Sequence, residues 1–121
     1  MDSPLILAVD DQKSNLDILV DMLAENYDVS VALDGVTALE IAREDAPDLI
    51  LLDIVMPEMD GFAVLAELKA SPETASIPVI MVSSNDTPEE KAKGLKAGAR
   101  AYLTKPLERS LLLNTIKVHL T

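Results

Sequence analysis

The chain has 121 residues, enough for one domain but not for two, and 49 % of them are hydrophobic, so the sequence predicts one packed domain over residues 1–121. The absence of cysteine excludes a disulfide scaffold and any thiolate metal site. A net charge of −11 repels nucleic acid and anionic lipid, so we expect neither direct nucleic-acid binding nor membrane association.

Short apolar runs recur along the chain and predict five β-strands. Their lengths are those of strands rather than helices, and most are bounded by Asp, Gly, Pro or Ser. The runs are Leu5–Val9, Val29–Leu33, Leu49–Leu52, Pro78–Val82 and Ala101–Leu103. The first, third and fourth are apolar throughout, a pattern that favours central parallel strands covered on both faces.

Between the strands, apolar residues recur every three or four positions, the spacing of amphipathic helices. They are Leu16, Leu19, Val20 and Leu23, then Ala38, Leu39 and Ala42, then Leu65 and Leu68. The segment Thr87–Glu90 has the pattern of a capping box with proline at the first helical position, so it predicts a helix start. Gly98 predicts the end of that helix, and the last helix is predicted from about Glu108 onward.

Five successive β-α pairs predict an α/β domain in which a parallel sheet carries helices on both faces. Ligands of such folds bind beyond the carboxyl ends of the strands. Polar residues follow four of the predicted strands: Asp10 and Asp11, Asp53, Ser83, and Lys105. A lone Asp at a strand end is more often a turn residue than a ligand, but this combination predicts a site at one edge of the sheet.

Three clustered carboxylates repel one another unless a cation holds them together. Cysteine is absent and the histidine, His119, lies in the last predicted helix, so oxygen ligands favour a hard divalent ion, Mg²⁺ first and Mn²⁺ second. Such a site accepts phosphate oxygens as further ligands, and Lys105 and Ser83 are suited to hold others. The set predicts phosphoryl transfer in which an aspartate forms an acyl phosphate.

Over nearly its whole length, the sequence resembles the receiver domains of two-component signalling. The matching segments are Ala8–Asp11, Asp48–Gly61, Pro78–Ser84 and Gly98–Pro106, with 30 residues from Asp53 to Ser83 and 22 from Ser83 to Lys105. The resemblance implies a flavodoxin-like, doubly wound (βα)5 fold with strand order 2-1-3-4-5. It also implies a signalling domain, not an enzyme, that assists its own phosphorylation and dephosphorylation.

The resemblance implies a role for each residue of the predicted site. Asp53 is the implied phosphoacceptor, and Ser83 and Lys105 are implied to hold phosphoryl oxygens. The implied metal ligands are Asp11 directly, Asp10 mainly through water, Asp53, and the backbone carbonyl of Val55.

The resemblance also implies which residues take part in the switch and which tune the lifetime of the phosphoryl group. Tyr102 is the implied switch aromatic, which turns inward when Ser83 moves toward the phosphoryl group, and the Lys105–Pro106 peptide bond is implied to be cis. The residues two past the phosphoacceptor and two past the switch hydroxyl tune attack by water in this family, and here they are Val55 and Asn85. Because Val55 cannot hydrogen-bond a water molecule, we expect slow self-dephosphorylation.

The resemblance implies a histidine kinase or phosphotransfer protein as phosphodonor, and self-association or an attached effector domain as output. The segment Met1–Pro4 has no basic region before a long apolar stretch, so we expect a cytoplasmic protein. A phosphorylation-independent interaction module on the same fold is the alternative function. A flavin carrier fits less well, because Asp10–Gln12 would repel a phosphate in the absence of a metal.

Two surfaces are predicted for partners. The first helix leaves Asn15, Ile18 and Met22 on a side of their own, where Ile18 and Met22 form an adjacent apolar pair suited to docking a phosphodonor. The fifth helix has a stripe expected to face the sheet, formed by Leu112, Leu113, Ile116 and Leu120, and a second stripe formed by Leu111, Thr115 and Val118. With Tyr102, the second stripe predicts an output surface on the fourth helix, fifth strand and fifth helix.

Overall fold

A computed structural model of the protein describes residues 3–120. These residues form strands β1 to β5, at Leu5–Val9, Asp28–Ala32, Leu49–Asp53, Val79–Ser83 and Ala101–Thr104, and helices α1 to α5, at Lys13–Leu23, Gly35–Asp45, Gly61–Ala70, Pro88–Lys96 and Arg109–Leu120. All neighbouring strands are parallel and their order is β2-β1-β3-β4-β5. The predicted flavodoxin-like α/β fold is confirmed. None of the helices within residues 3–120 is long and apolar enough to cross a membrane.

β1 coincides with the apolar run that predicted it, and the bounds of the other four strands differ from their runs by one residue. β2 begins at Asp28, whose backbone N–H donates to the carbonyl of Pro4 at 3.0 Å, and it ends before Leu33. β3 and β4 extend one residue further than predicted, to Asp53 and Ser83. Backbone pairing in β3 and β4 therefore continues beyond the last apolar residue, and it places Asp53 and Ser83 at the strand ends rather than in loops.

Side chains of the sheet alternate between two apolar layers. One face packs against α2 and α3, and the other packs against α1 and α5. β3 and β4 are buried along their whole length, as their continuous apolar runs predict. The sheet-facing side of α5 is also as predicted, with Leu112 and Ile116 buried and Leu113 and Leu120 packed at the margin.

Local capping interactions define the start of α4. The hydroxyl of Thr87 accepts a hydrogen bond from Glu90 N–H at 3.3 Å, as the capping pattern predicts. The second half of the predicted capping box is wrong, because Thr87 N–H donates to the side-chain oxygen of Asn85 at 3.0 Å instead of to Glu90. Gly98, after the end of α4, has a φ of 116°, a left-handed conformation that favours glycine.

α5 also begins with a side-chain cap. The two carboxylate oxygens of Glu108 accept hydrogen bonds from the N–H groups of Ser110 and Leu111, at 3.1 and 3.0 Å. A carboxylate at this position satisfies amides that have no helical partner and interacts favourably with the helix dipole. The predicted start near Glu108 is thereby confirmed to within one residue.

The loop from β3 into α3 requires glycine at its end. A Cβ atom on Gly61 would lie 2.5 Å from the carbonyl oxygen of Asp53 and 2.7 Å from the Cα of Ile54, closer than any side chain tolerates. Gly61 N–H donates to the Ile54 carbonyl at 2.8 Å, and the Asp60 carboxylate caps the helix by accepting from Ala63 N–H at 2.9 Å. The start of α3 is thus held directly against the end of β3, beside Asp53.

Candidate functional site

Three carboxylates meet at the carboxyl ends of β1 and β3. Val9 pairs with Leu52 in the sheet, so the residues that follow, Asp10 and Asp53, lie side by side. Each of Asp10, Asp11 and Asp53 offers an oxygen atom within 4.8 Å of the others. Asp10 and Asp53 are only 2 % and 5 % exposed, whereas Asp11 is on the surface. The predicted acidic cluster is therefore present, with two members inside the protein.

Lys105 brings a positive charge into this cluster from the opposite side of β3. Its ammonium lies 3.2 Å from Asp10 Oδ2 and 3.1 Å from Asp53 Oδ1. The backbone of Lys105 is anchored through its N–H, which donates to the Ser83 carbonyl at 2.8 Å. The Lys105–Pro106 peptide bond is cis, as expected. One ammonium is thus shared between two buried carboxylates.

The arrangement shifts the pKa of both partners in the Asp53–Lys105 pair. Burial raises the pKa of Asp53, the negative charges of Asp10 and Asp11 raise it further, and Lys105 offsets only part of this. Burial lowers the pKa of Lys105, but its hydrogen bond to Asp53 and the charges of Asp53 and Asp10 outweigh that effect and raise it. The Lys105 ammonium is therefore stabilised in its charged form, whereas the ionised form of Asp53 is destabilised.

The donor set fits a hard divalent cation. Within residues 3–120, the cluster consists of Asp10, Asp11 and Asp53, and the ammonium paired with it is that of Lys105, so three negative charges face one positive charge. The formal balance of −2 matches the charge of Mg²⁺, and the ligands on offer are oxygen atoms, which Mg²⁺ prefers. A cation at this position would also relieve the repulsion that raises the pKa of Asp53.

The Asp10 carboxylate is oriented by the start of α1. Its Oδ1 accepts from the N–H of Gln12 at 2.9 Å, and its Oδ2 accepts from the side-chain amide of Asn15 at 3.1 Å as well as from Lys105. The sequence pattern predicted Asn15 as a docking residue and gave no sign of this contact. Since an asparagine five residues after the aspartate reaches back in the first turn of a helix, that spacing is the signal that could have revealed it.

Ser83, at the end of β4, is connected to Tyr102 through the loop that follows. The buried Ser83 hydroxyl accepts a hydrogen bond from Asn85 N–H at 3.1 Å. The carbonyl of the same residue, Asn85, accepts from the hydroxyl of Tyr102 at 2.7 Å. The Tyr102 ring is half-buried and lies against Gly94 of α4. The N–H and the carbonyl of Asn85 thus join the Ser83 hydroxyl to the Tyr102 ring, a link that sequence alone did not show.

A groove of about 450 Å³ opens beside the cluster, between α1 and the segment after β5. Its outer lining includes Asn15, Ile18, Met22, Pro106 and Leu107. Ile18 is 55 % exposed, but Met22 is half-buried and packs against the core layer under α1. Of the predicted exposed pair, Ile18 lies on the surface, whereas Met22 is only partly exposed because its side chain packs against the apolar layer.

The second stripe of α5 lies on the surface, as its spacing predicts. Leu111 is 54 % exposed and Val118 is exposed as well, while the Thr115 hydroxyl donates to the Leu111 carbonyl at 2.7 Å. On α4, Leu95 is a further exposed apolar side chain, which the sequence analysis did not single out. Apolar side chains are thus available on both helices that flank β5.

A family model, the response regulator receiver domain, matches residues 6–117. The chain belongs to this family. Receiver domains are the phosphoacceptor modules of response regulators, they bind Mg²⁺ at an acidic pocket, and they interact with histidine kinases or phosphotransfer proteins. Membership favours the phosphoacceptor function over the phosphorylation-independent alternative.

Individual relatives support the same conclusion. The receiver is 44 % identical to response regulator PleD of Caulobacter vibrioides over 95 % of its own length and 26 % of PleD, so it spans about a quarter of that relative. It is 41 % identical to protein PilH of Pseudomonas aeruginosa, over 92 % of this chain and 93 % of PilH. The receiver domain of a Pseudomonas aeruginosa sensor histidine kinase, solved with a magnesium ion coordinated in its active-site cleft, has a TM-score of 0.90 and 28 % identity, covering 98 % of each chain.

The raised pKa of Asp53 predicts that its charge destabilises the metal-free receiver. Asp53→Asn keeps an oxygen for Lys105 but removes the charge, so we expect the free energy of unfolding in EDTA-containing buffer at pH 7 to rise by on the order of 1 kcal/mol. Because the folded-state pKa is the higher one, the penalty is present above it and disappears as the pH falls below the unfolded value of about 3.9. The gain should therefore shrink toward zero near about pH 3.

Urea unfolding at several pH values measures this difference. Asp21→Asn, on the exposed side of α1, is the matched control, and we expect it to stay within about 0.5 kcal/mol of the wild type. A less stable Asp53→Asn variant in metal-free buffer at pH 7 would show that the carboxylate contributes favourably and that the charge argument is wrong.

Proposed function

We propose that residues 1–121 form a cytoplasmic receiver domain whose Asp53 takes up a phosphoryl group in an Mg²⁺-dependent reaction. The observation that carries the proposal is the position of the buried Asp53 carboxylate, which lies within 4.8 Å of the Asp10 and Asp11 carboxylates and 3.1 Å from the Lys105 ammonium. A structural salt bridge would need one carboxylate for one lysine. The additional acidic groups make sense when a divalent cation and a phosphoryl group complete the site.

The residues that would hold the metal are Asp11 and Asp53 directly, Asp10 mainly through water, and the backbone carbonyl of Val55. Mg²⁺ is the proposed ion and Mn²⁺ a substitute with the same ligand preference. When bound, the ion neutralises negative charge on the phosphoryl oxygens during transfer.

In the proposed transfer, a carboxylate oxygen of Asp53 forms a bond to phosphorus while the bond from phosphorus to the donor nitrogen of a phosphohistidine breaks. The electron pair of the broken bond stays on the imidazole nitrogen. Lys105 pairs with one phosphoryl oxygen, and the Ser83 hydroxyl donates to another. In hydrolysis, the oxygen of a water molecule forms a bond to phosphorus while the bond from phosphorus to the Asp53 oxygen breaks, so inorganic phosphate leaves and the Asp53 carboxylate is restored. Val55 offers no side-chain hydrogen bond and the side-chain oxygen of Asn85 already accepts from Thr87 N–H, which supports the expected slow attack by water.

The phosphoacceptor assignment predicts labelling of one aspartate. Acetyl phosphate with Mg²⁺ should add one phosphoryl group to the wild-type receiver, and intact-protein mass spectrometry or radiolabel should detect it. Asp53→Asn should abolish the label, whereas Asp45→Asn, at the exposed end of α2, should leave it unchanged. Equal labelling of Asp53→Asn and wild type would place the phosphoryl group elsewhere.

We propose further that the groove beside the site, lined in part by Asn15, Ile18 and Met22, docks the phosphodonor protein. Ile18 is the exposed apolar member, and the groove leads directly to Asp53. The partner would be a histidine kinase domain or a phosphotransfer protein, with an apolar side chain set into the groove. The half-buried Met22 would form the floor rather than the rim of this contact.

The docking proposal separates a protein donor from a small one. Ile18→Glu should slow transfer from a phosphorylated histidine phosphotransfer domain by about tenfold or more, because it buries an unpaired charge at the interface. Labelling by acetyl phosphate should be unaffected. Val36→Glu is the matched control, since Val36 is 58 % exposed but lies on α2 and outside the groove. If both donors are slowed equally, Ile18 contributes to the fold and not to docking.

We also propose that α4, β5 and α5 form the output surface, including Tyr102, Leu111 and Val118. The hydrogen bonds through Asn85 connect Ser83 with Tyr102, so movement of Ser83 toward a phosphoryl group would alter the position of the ring. A shift of about 1.4 kcal/mol changes a two-state population tenfold, which a few hydrogen bonds can supply. The partner would be a second copy of the domain or an attached effector.

The output proposal predicts a change confined to that face. Beryllofluoride with Mg²⁺, which mimics the acyl phosphate, should slow amide exchange over residues 87–118 and, for a self-associating receiver, raise the sedimentation coefficient. Leu111→Glu should suppress the association but not beryllofluoride binding, whereas Leu33→Glu, an equally exposed leucine after β2, should suppress neither. Unchanged exchange and unchanged sedimentation together would rule out this surface as the output.

A further inference from the structure

Asn15 and Lys105 share one oxygen of Asp10. Oδ2 accepts from Asn15 Nδ2 at 3.1 Å and from Lys105 Nζ at 3.2 Å, while Oδ1 accepts from Gln12 N–H at 2.9 Å. Asp10 is 2 % exposed, so these protein groups replace the water that would otherwise solvate its charge. An ionised carboxylate has about four lone-pair sites, and in the described part of the chain three are occupied, which leaves about one for a further contact.

The same Lys105 ammonium also contacts Asp53, at 3.1 Å. In the proposed function, Lys105 pairs with a phosphoryl oxygen once Asp53 is modified, and its interaction with Asp10 weakens. Asp10 then depends more heavily on Gln12 N–H and Asn15 for hydrogen bonds. Losing a hydrogen-bond donor costs a buried carboxylate more free energy than an exposed one. The hydrogen bond from Asn15 to Asp10 therefore becomes more important once Asp53 carries a phosphoryl group.

We propose that Asn15 is a positioning residue of the metal and phosphoryl site, which acts by holding the Asp10 carboxylate in the orientation that a metal-bound water requires. The inference rests on the proposed function, since it concerns the same cation. Outer hydrogen bonds of this kind fix the direction of a carboxylate, and their removal typically weakens metal binding about 10- to 100-fold.

A positioning role differs from the docking role that the position of Asn15 on α1 suggests. Docking requires a protein donor, whereas orientation of Asp10 affects Mg²⁺ binding by the receiver alone. The half-buried Asn15 amide points at Asp10, while Ile18, one turn further along α1, lies exposed in the groove. The two neighbouring residues therefore divide two tasks, orientation of a carboxylate and contact with a partner.

Calorimetric titration of Mg²⁺ into the purified receiver tests the proposal. Asn15→Leu has a similar volume but no donor, and we expect its Kd for Mg²⁺ to rise about tenfold. Ser14→Ala, an uncharged change on the exposed side of the same turn, should leave the Kd unchanged. Urea unfolding should show Asn15→Leu destabilised in EDTA by the lost hydrogen bond to Asp10, and destabilised further in saturating Mg²⁺ because its affinity for Mg²⁺ is lower. Asn15→Ala replaces the leucine variant if that variant does not fold.

Each outcome decides one point. If Asn15→Leu binds Mg²⁺ as tightly as wild type, or if it loses the same stability with and without Mg²⁺, Asn15 has no positioning role. If it binds Mg²⁺ more weakly and its loss of stability is larger in Mg²⁺ than in EDTA, the proposal holds. Absence of both Mg²⁺ binding and acetyl phosphate labelling in the wild type would instead overturn the proposed function.

Discussion

The site depends on one electrostatic constraint: two buried carboxylates, Asp10 and Asp53, share the ammonium of Lys105. Two like charges at this separation inside a protein are unfavourable, and one cation cannot fully compensate both. The fold tolerates the arrangement because the strands that carry it, β1 and β3, are almost completely buried in apolar contacts on both faces. The stability of the sheet thus offsets the repulsion between the carboxylates, and that repulsion is what makes a divalent cation a favourable ligand.

Backbone geometry, more than side-chain packing, determines the positions of the residues in the site. Parallel register places Asp10 beside Asp53, and the close approach of Gly61 to the Asp53 carbonyl holds the next loop against the strand end. Ser83 is positioned in the same way, as the last residue of β4, where its carbonyl accepts from the backbone of Lys105. Residues in regular strands move less than residues in loops, so Asp53 and Ser83 are held in fixed positions.

The sequence was sufficient to predict the succession of strands and helices along the chain and the identity of the clustered residues, because apolar periodicity and strand-end polarity are both local patterns. It was insufficient where the backbone itself forms the contact. The Asn85 carbonyl that accepts from Tyr102 has no signature in residue types, since any amino acid supplies a carbonyl. For a related reason, helical spacing gave the side of α1 on which Met22 and Asn15 lie, but not that Met22 packs against the apolar layer or that Asn15 donates to Asp10.

The sharing of Lys105 between Asp10 and Asp53 also explains how phosphorylation of Asp53 could affect several helices and strands. On the proposed function, a phosphoryl group on Asp53 draws both Lys105 and Ser83 toward its oxygens, so each abandons or weakens a contact that it makes in the unmodified domain. For Lys105 that contact is Asp10, which is tied through Asn15 to α1. For Ser83 it is Asn85 N–H, and the same residue is tied to Tyr102 and to the cap of α4. Each of these hydrogen bonds is worth only about 1 kcal/mol, but a two-state surface needs no more than that to change its population severalfold. On the proposed function, such a receiver would require no large movement at Asp53, because exchange of hydrogen-bond partners would be enough to shift the conformational preference of α1 on one side of the sheet and of α4 on the other.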